Sequence, residues 1–318
     1  MKIIRILSLF IVLILLIGTT PVAASSRVIV GPLPALVDFY IEENWIQPGT
    51  SVQLSPICSP SNAEYTSNSD FTWASSNSSF TITQQGVLTA PSSGGITHIS
   101  ITHDSTGLSR TYIIASGIID VAMLGLKDGT DRTSYFPQVA SKLSLIGFDK
   151  IYHNHASSVG PYAADILNYM QNSRILIIRS HGSGECVVAT DRYLMKSEIE
   201  AMENNSLSNL DLIFFGICEG AYGGSAGDNM VTATVNKGAG TAIGFQNMVN
   251  PDAANDWVVN FFDIWYTNRN SITGNIASYA AQATALTLEE HSGYVLDDGG
   301  IVTIENCVVY GSNLLPEY

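Results

Sequence analysis

His181 and Cys218 are the two residues of this chain whose types and positions suggest covalent catalysis. Each closely follows a strongly apolar run, 175–178 before the histidine and 212–217 before the cysteine. A cysteine thiolate is a strong nucleophile, and a nearby imidazole can accept the thiol proton and later donate it to a leaving group. If the two runs are neighbouring strands, both side chains emerge at one edge of a sheet. The alternative is a buried thiol and an unrelated histidine, since free cysteine is a common core residue.

Gly182, directly after the histidine, completes the candidate catalytic set. A glycine lets the backbone approach a reacting carbonyl closely. Its N–H and that of Cys218 are the expected donors to the negative oxygen that forms during acyl transfer. This chemistry needs no metal or organic cofactor.

The two apolar runs belong to a longer alternation of strands and helices. We predict strands at 118–126, 150–152, 174–178, 210–215 and 239–245, and helices at 133–147, 161–172 and 253–266. Continuously apolar strands joined by helices indicate a mostly parallel sheet that is covered on both faces. Such sheets bind ligands beyond the carboxyl ends of their strands. The sequence therefore predicts an α/β domain over 117–318, with the histidine and the cysteine at its ligand-binding edge.

The order of these motifs resembles the caspase-like (clan CD) superfamily of cysteine peptidases, in particular the secreted clostripain, gingipain and CHAT-type branch. A strand ending in His-Gly, then a strand ending in Cys, carries the resemblance together with 187–199, 237–245 and 308–311, which are similar to the hairpin, the Lys-Gly-Ala strand and the last strand of that family. The resemblance covers about residues 118–311. It implies a caspase-like three-layer α/β sandwich and a cysteine endopeptidase.

The resemblance also implies a role for each matching residue. His181 would be the general base or orienting residue, Cys218 the nucleophile and Gly182 the oxyanion glycine. Two positions depart from the family pattern: Glu219 stands where many members have a small residue or glutamine, and Gly216 replaces the acid that some Arg-specific members carry. No primary specificity is therefore transferred.

Two loops that open at the same edge supply candidate substrate-binding residues. Asp128 and Asp131 follow the first strand, where an acid would favour a basic side chain of the substrate, although Asp-Gly is also typical of a turn. Gln246 and Asn247 follow the fifth strand. We expect Asp128 and Gln246 to contact substrate.

Other ionisable residues give weaker indications. His153 and His155 would share a face of a strand, but no third metal ligand is evident, so a solvated or hydrogen-bonded pair is favoured. His291 and the acidic pair Asp297 and Asp298 are interpreted as a surface hairpin turn with too few ligands to support a calcium site. No metal site is predicted.

The chain has four cysteines, and their irregular spacing shows no disulfide framework. If Cys218 is a free nucleophile, at least one of Cys58, Cys186 and Cys307 is unpaired. We interpret Cys186 as a core residue of a hairpin, with a disulfide partner or a redox lock as alternatives.

Residues 38–116 are predicted to form a separate all-β domain after a linker at 25–37. Short segments of alternating polarity are separated by turn residues, as in a β-sandwich. The segments 71–77 and 86–90 resemble the bacterial Ig-like group 2 domain. Trp73 is interpreted as core packing between sheets.

The first 24 residues have the layout of a secretory signal peptide: a basic start, an apolar run over 6–17 and small residues at the cleavage positions. An uncleaved anchor is the alternative, although the run is short for a membrane span. The 318 residues suffice for two domains, and the net charge of −14 disfavours nucleic acid and anionic membranes as partners.

The sequence therefore predicts a secreted or surface-located cysteine endopeptidase that acts on proteins or peptides. Its Ig-like domain would bind a cell-surface partner, position the enzyme or cover the site. A catalytically inactive caspase-like domain in a binding or adhesion protein is the alternative from another class. Acyl transfer by the same pair is a third.

Overall fold

The computed structural model describes residues 35–63, 66–126, 133–154, 160–269, 275–291 and 307–312. The predicted leader, most of the linker, and Asp128, Asp131, His155, Asp297 and Asp298 lie outside these residues.

Residues 38–116 form short strands that we call the β unit. The strands are β1 (Asp38–Tyr40), β2 (Trp45–Ile46), β3 (Ser51–Gln53), β4 (Ile57–Ser59), β5 (Phe71–Ser75), β6 (Thr81–Ile82), β7 (Val87–Thr89), β8 (Gly95–His103) and β9 (Ser109–Ser116). They pair as β1-β4, β3-β7-β6 and β2-β9-β8-β5. Strands β5 and β7 lie within the segments 71–77 and 86–90 that the sequence analysis singled out.

Alternation along β5 shows why this region folds as sheets. Phe71 and Trp73 are buried, whereas Thr72 and Ala74 are exposed, which is the two-residue period of a half-buried strand. Trp73 lies in a core shared by all the sheets of the β unit, which confirms its interpretation as a core residue. Gly86 has a φ of +78°, and a Cβ there would lie 2.9 Å from the indole, so only glycine fits.

The rest of the described chain is an α/β unit built on a six-stranded sheet. Its strands are β10 (Ile119–Gly125), β11 (Ile151–His153), β12 (Ser173–Arg179), β16 (Leu212–Gly216), β17 (Thr241–Phe245) and β18 (Cys307–Gly311). The order across the sheet is β11-β10-β12-β16-β17-β18, and only β18 is antiparallel to its neighbour. A small sheet of β13 (Gly182–Ser183), β14 (Cys186–Val188) and β15 (Tyr193–Met195) follows β12. The predicted mostly parallel sheet is confirmed.

Helices cover both faces of the large sheet. In chain order they are α1 (Phe136–Ile146), α2 (Ala163–Asn172), α3 (Lys196–Glu200), α4 (Met230–Asn236), α5 (Pro251–Asn268) and α6 (Ile276–Glu290). Helices α1, α5 and α6 bury their apolar sides on one face, and α2, α3 and α4 do so on the other. Every predicted strand and helix of this unit is present, with its ends displaced by no more than three residues.

None of the helices in the described part of the chain is both long and apolar enough to cross a membrane.

The β unit contacts the face of the sheet that carries α2. Trp45 and Ile113 pack against the apolar core between α2 and the sheet. The Tyr169 hydroxyl donates to the Asn44 carbonyl at 3.0 Å. The Tyr162 hydroxyl donates to Glu42 Oε1 at 3.2 Å. Glu43 lies between the contact residues Glu42 and Asn44 in the sequence, and burial is the main reason why the pKa of its carboxyl is raised.

Glu43→Gln should raise the melting temperature at pH 7.5. A raised folded pKa contributes stability that is fully present below the ordinary pKa of a glutamate, 4.5, and is lost as the pH rises through the folded value. Glutamine mimics the protonated form, so its advantage over wild type should shrink towards pH 4. Thermal unfolding followed by circular dichroism at both pH values tests this, with Glu203→Gln, at an exposed position, as control. A lower melting temperature at pH 7.5 would contradict the expectation.

Candidate active site

The register of the central strands brings the candidate catalytic residues to one edge of the sheet. β12 and β16 are parallel neighbours, with Arg179 opposite Gly216. His181 and Cys218 each lie two residues beyond this pair. Neighbouring strands are about 4.8 Å apart. The predicted adjacency of the two strands is thus confirmed, while the catalytic roles of the two residues stay predictions.

The segments that follow the two strands pack directly on each other. A Cβ on Gly182 would lie 2.7 Å from Ile217 Cδ1 and 2.5 Å from the Cys186 carbonyl oxygen. A Cβ on Gly184 would lie 3.4 Å from the Glu219 carbonyl oxygen. Only glycine fits at 182, because any side chain would collide with the Cys186 carbonyl oxygen and with Ile217, the residue before the cysteine. The hairpin after the histidine therefore lies against the turn that carries Cys218.

Cys218 is half-buried at the start of a turn after β16. Its Sγ lies 4.0 Å from the Val249 carbonyl oxygen, to which the thiol donates a long hydrogen bond. Its backbone N–H has no hydrogen-bond acceptor among the described residues. A donor that is not used within the fold suits the oxyanion role predicted for it.

The residue after the thiol has an unusual backbone conformation. Glu219 has a φ of +54°, in the left-handed region that residues other than glycine seldom adopt. Its N–H donates to the Asn247 carbonyl at 3.0 Å, which holds the turn against the loop after β17. Such a residue costs on the order of 1–3 kcal/mol and is found preferentially at active sites and switch regions. The sequence marked Glu219 as a departure but gave no sign of this conformation.

His181 is exposed at the edge of the sheet, so its imidazole is open to solvent. Its carbonyl accepts a 2.9 Å hydrogen bond from the Val188 N–H. The Ser180 hydroxyl donates to the Val188 carbonyl at 2.5 Å. These bonds join the end of β12 to the small sheet and fix the backbone of the histidine.

Arg179 is a buried polar residue beneath the site that sequence reasoning missed. Its guanidinium donates to the Gly216 carbonyl, to the Pro251 carbonyl at 2.9 Å and to Asn255 Oδ1 at 2.9 Å. It thus ties β12 to β16 and to the start of α5. Burial raises the pKa of the neighbouring Tyr135 phenol. An arginine at the end of an otherwise apolar strand is the one sequence signal that could have drawn attention to this residue, although it does not identify the partners.

The same arginine explains one departure from the family pattern. A Cβ on Gly216 would lie 2.4 Å from Arg179 Cδ, so no side chain fits at 216. An acid two residues before Cys218 is therefore excluded by packing.

Of the two predicted substrate-binding residues, only Gln246 is described. It is half-buried directly after β17. A Cβ on Gly224 would lie 2.6 Å from Gln246 Nε2, so the amide packs against the segment that follows Cys218. Gln246 is thus beside the site, and its contact with substrate stays a prediction.

The structure corrects the interpretation of His291. This residue is not in a surface hairpin turn: it ends α6, and its Nε2 lies 2.7 Å from Asp256 Oδ2 on α5. Helix α6 extends to Glu290 because its apolar side continues to pack against α5.

His153 is half-buried on β11 and packs against the Phe136 ring. Within the described residues, no group of three or more His, Cys, Asp or Glu side chains could hold a metal ion.

All four cysteines are unpaired thiols in the structure. Burial raises the pKa of Cys58 and of Cys307. The interpretation of Cys186 as a hairpin core residue is wrong: it is half-buried, and its neighbour Val187 supplies the buried side chain. The alternation of faces along a strand decides this, because successive side chains point to opposite sides.

No protein-family model and no curated protein match this chain. Among solved structures, the Arg-specific cysteine proteinase gingipain R is similar, with 14% identity and a TM-score of 0.47, over 62% of this chain and 47% of that chain. The complex of pro- and mature domains of RgpB from Porphyromonas gingivalis has 12% identity and a TM-score of 0.46, over 62% of this chain and 48% of that chain. The separase–securin complex of Saccharomyces cerevisiae has 15% identity and a TM-score of 0.41, over 61% of this chain and 12% of that chain. This chain therefore spans less than half the length of each, and its chemistry is inferred from its own residues.

Proposed function

We propose that this chain is a secreted cysteine endopeptidase with a caspase-like catalytic domain. The observation that carries the proposal is the register of β12 and β16, which brings a strand-end histidine and a strand-end cysteine to the edge where parallel sheets bind ligands. The tight packing of Gly182 on the residue before Cys218 adds to it. Acyl transfer needs a nucleophile, a base and oxyanion donors, and this edge supplies a candidate for each.

In the proposed first half-reaction, Cys218 Sγ attacks the carbonyl carbon of the scissile peptide bond, and the His181 imidazole accepts the thiol proton. The N–H groups of Gly182 and Cys218 donate to the oxyanion that forms. When the C–N bond breaks, His181 donates its proton to the leaving amine. The acyl group remains on sulfur as a thioester.

In the second half-reaction, a water molecule attacks the thioester carbonyl, and His181 accepts a proton from that water. The tetrahedral species collapses and releases the carboxylic acid product. The proton then returns to the Cys218 sulfur. The exposure of His181 gives water access for this step.

Substrate contacts and cellular location are parts of the same proposal. Gln246, and Asp128 after β10, would line the substrate cleft. The apolar leader would direct the chain out of the cell, where the β unit, as an Ig-like sandwich over 38–116, would bind a surface partner.

Digestion of a peptide library by the protein lacking residues 1–24 tests the proposed function. Mass spectrometry of the products should reveal internal cleavage, with new carboxyl termini that incorporate one oxygen from H₂¹⁸O. Prior treatment with iodoacetamide should abolish cleavage, because the nucleophile would be alkylated. Products joined to an added amine would instead indicate acyl transfer. Cleavage that survives complete alkylation of Cys218 would refute the proposed mechanism.

A further inference from the structure

A buried lysine lies where the two segments that flank the proposed active site meet. Lys196 begins α3, and its side chain is only 7% exposed. Its Nζ lies 2.6 Å from Asp228 Oδ1, 3.4 Å from Glu185 Oε1 and 3.7 Å from Glu200 Oε1. We call these four residues the Lys196 cluster.

Two of the carboxylates belong to the segments that directly follow His181 and Cys218. Glu185 lies in the turn between β13 and β14, in the hairpin that follows His181. The backbone of this residue also accepts a 2.8 Å hydrogen bond from the Lys196 N–H. Asp228 ends the long loop that follows Cys218. The ammonium group therefore bridges the two segments.

The loop on the Asp228 side is itself braced as far as the turn of the nucleophile. Asn229, the next residue, donates to the carbonyls of Tyr222 and Gly224, each at 2.9 Å, and caps α4. The Tyr222 N–H in turn donates to the Glu219 carbonyl at 2.8 Å. A series of hydrogen bonds thus connects Asn229, the neighbour of Asp228, to Glu219, the residue next to Cys218.

Asp228 makes the shortest of the three ion pairs with Lys196. A buried ammonium is costly unless it is paired, and the Asp228 bond is short and charge-assisted. This hydrogen bond is the largest reason why the pKa of Lys196 is raised. Asp228 is 81% exposed, so its replacement leaves no cavity.

We propose that Lys196 is a positioning residue. It fastens the hairpin 182–195 to the loop 219–229, and so holds His181 and Cys218 at a reactive separation. The inference rests on the proposed function, because the consequence for catalysis requires that this edge be the active site.

Asp228→Asn is the test variant, and Asp228→Glu is the conservative variant that keeps the charge. Asp228→Asn should lower kcat for a peptide substrate roughly tenfold with a smaller change in KM, because misplaced catalytic groups reduce the rate more than binding. Asp228→Glu should recover most of the loss, since its carboxylate can still reach the ammonium. Lys142→Met, which removes an ion pair of 2.7 Å with Asp263 on the other side of the sheet, is the matched control and should leave kcat unchanged.

Hydrogen–deuterium exchange separates this inference from the proposed function. Asp228→Asn should speed amide exchange in 182–195 and 219–229, and not in β10 or α6, whether or not the protein cleaves peptides. Equal exchange in wild type and Asp228→Asn at both segments would overturn the inference. An unchanged kcat in Asp228→Asn, beside a wild-type protein that does cleave peptides, would also overturn the inference, and the proposed function would then stand without it. Absence of peptide cleavage in wild type, with faster exchange in the variant, would overturn the catalytic consequence and the proposed function together.

Discussion

Cys218→Ala should lower kcat for peptide hydrolysis by about 10⁴-fold or more, because the proposed acyl-enzyme forms on the Cys218 sulfur. The thiol is half-buried in the turn after β16 and contacts the core that includes Val249. Loss of one sulfur atom from a half-buried position should leave the protein folded. Initial rates with a cleaved library peptide, beside circular dichroism spectra, measure both effects.

Cys186→Ala is the matched control for this change. Cys186 is also a half-buried free thiol, and it lies in the hairpin after the histidine. Its replacement removes the same atom near the same edge and should leave kcat within about a factor of three. If Cys218→Ala keeps more than a hundredth of the wild-type rate, and Cys186→Ala lowers the rate by the same factor, the nucleophile is elsewhere.

His181→Ala should lower kcat by about 10²- to 10⁴-fold, the range that general acid–base catalysis contributes. The side chain is exposed, so its removal leaves no cavity in the core. Without the base, the remaining rate should rise steadily with pH, because hydroxide in solution must then generate the thiolate. A pH–rate profile of both proteins between pH 6 and 9 measures this difference.

His98→Ala controls for the loss of an exposed histidine. His98 is exposed on β8 of the β unit, away from the sheet edge that carries Cys218. Its replacement should leave the rate and the pH profile unchanged. A His181→Ala protein with the wild-type profile would remove the histidine from the mechanism.

The strands that carry the site were predictable from local pattern alone. The apolar runs before His181 and Cys218 are long, and continuous burial on both faces leaves few alternatives to a parallel strand. Neither apolar run by itself predicts that these two strands are neighbours. It followed from the resemblance to a known family and from the tendency of consecutive strands to be adjacent.

The side chains that support the site were harder to predict, because their partners are distant in sequence. Arg179 binds residues on β16 and at the start of α5. Lys196, at the start of α3, pairs with Asp228, which lies in the loop before α4. Nothing in the local sequence of either residue specifies such a partner. The left-handed Glu219 was equally hidden, since it is the hydrogen bonds of the turn that stabilise it.

The errors of sequence interpretation have the same origin. Cys186 and Val187 are both apolar, and only the register of the hairpin decides which of them faces the core. His291 precedes an acidic stretch in the sequence, whereas its partner in the structure is Asp256 on the preceding helix. In both cases the neighbours in sequence did not predict the environment of the side chain, because contacts with residues distant in sequence determine it.

The most direct test of the central claim is the alkylation rate of each cysteine in the folded protein at pH 7. Iodoacetamide labelling of wild type and His181→Ala, followed by peptide mass spectrometry, gives the rate for every thiol. We predict that Cys218 is labelled fastest in wild type and at least about tenfold more slowly in His181→Ala. Cys58 and Cys307 should react slowly in both proteins, because burial raises the pKa of these thiols. A Cys218 that reacts no faster than Cys58, with no effect of the histidine change, would contradict an activated His181–Cys218 pair and favour a binding protein with an inactive domain.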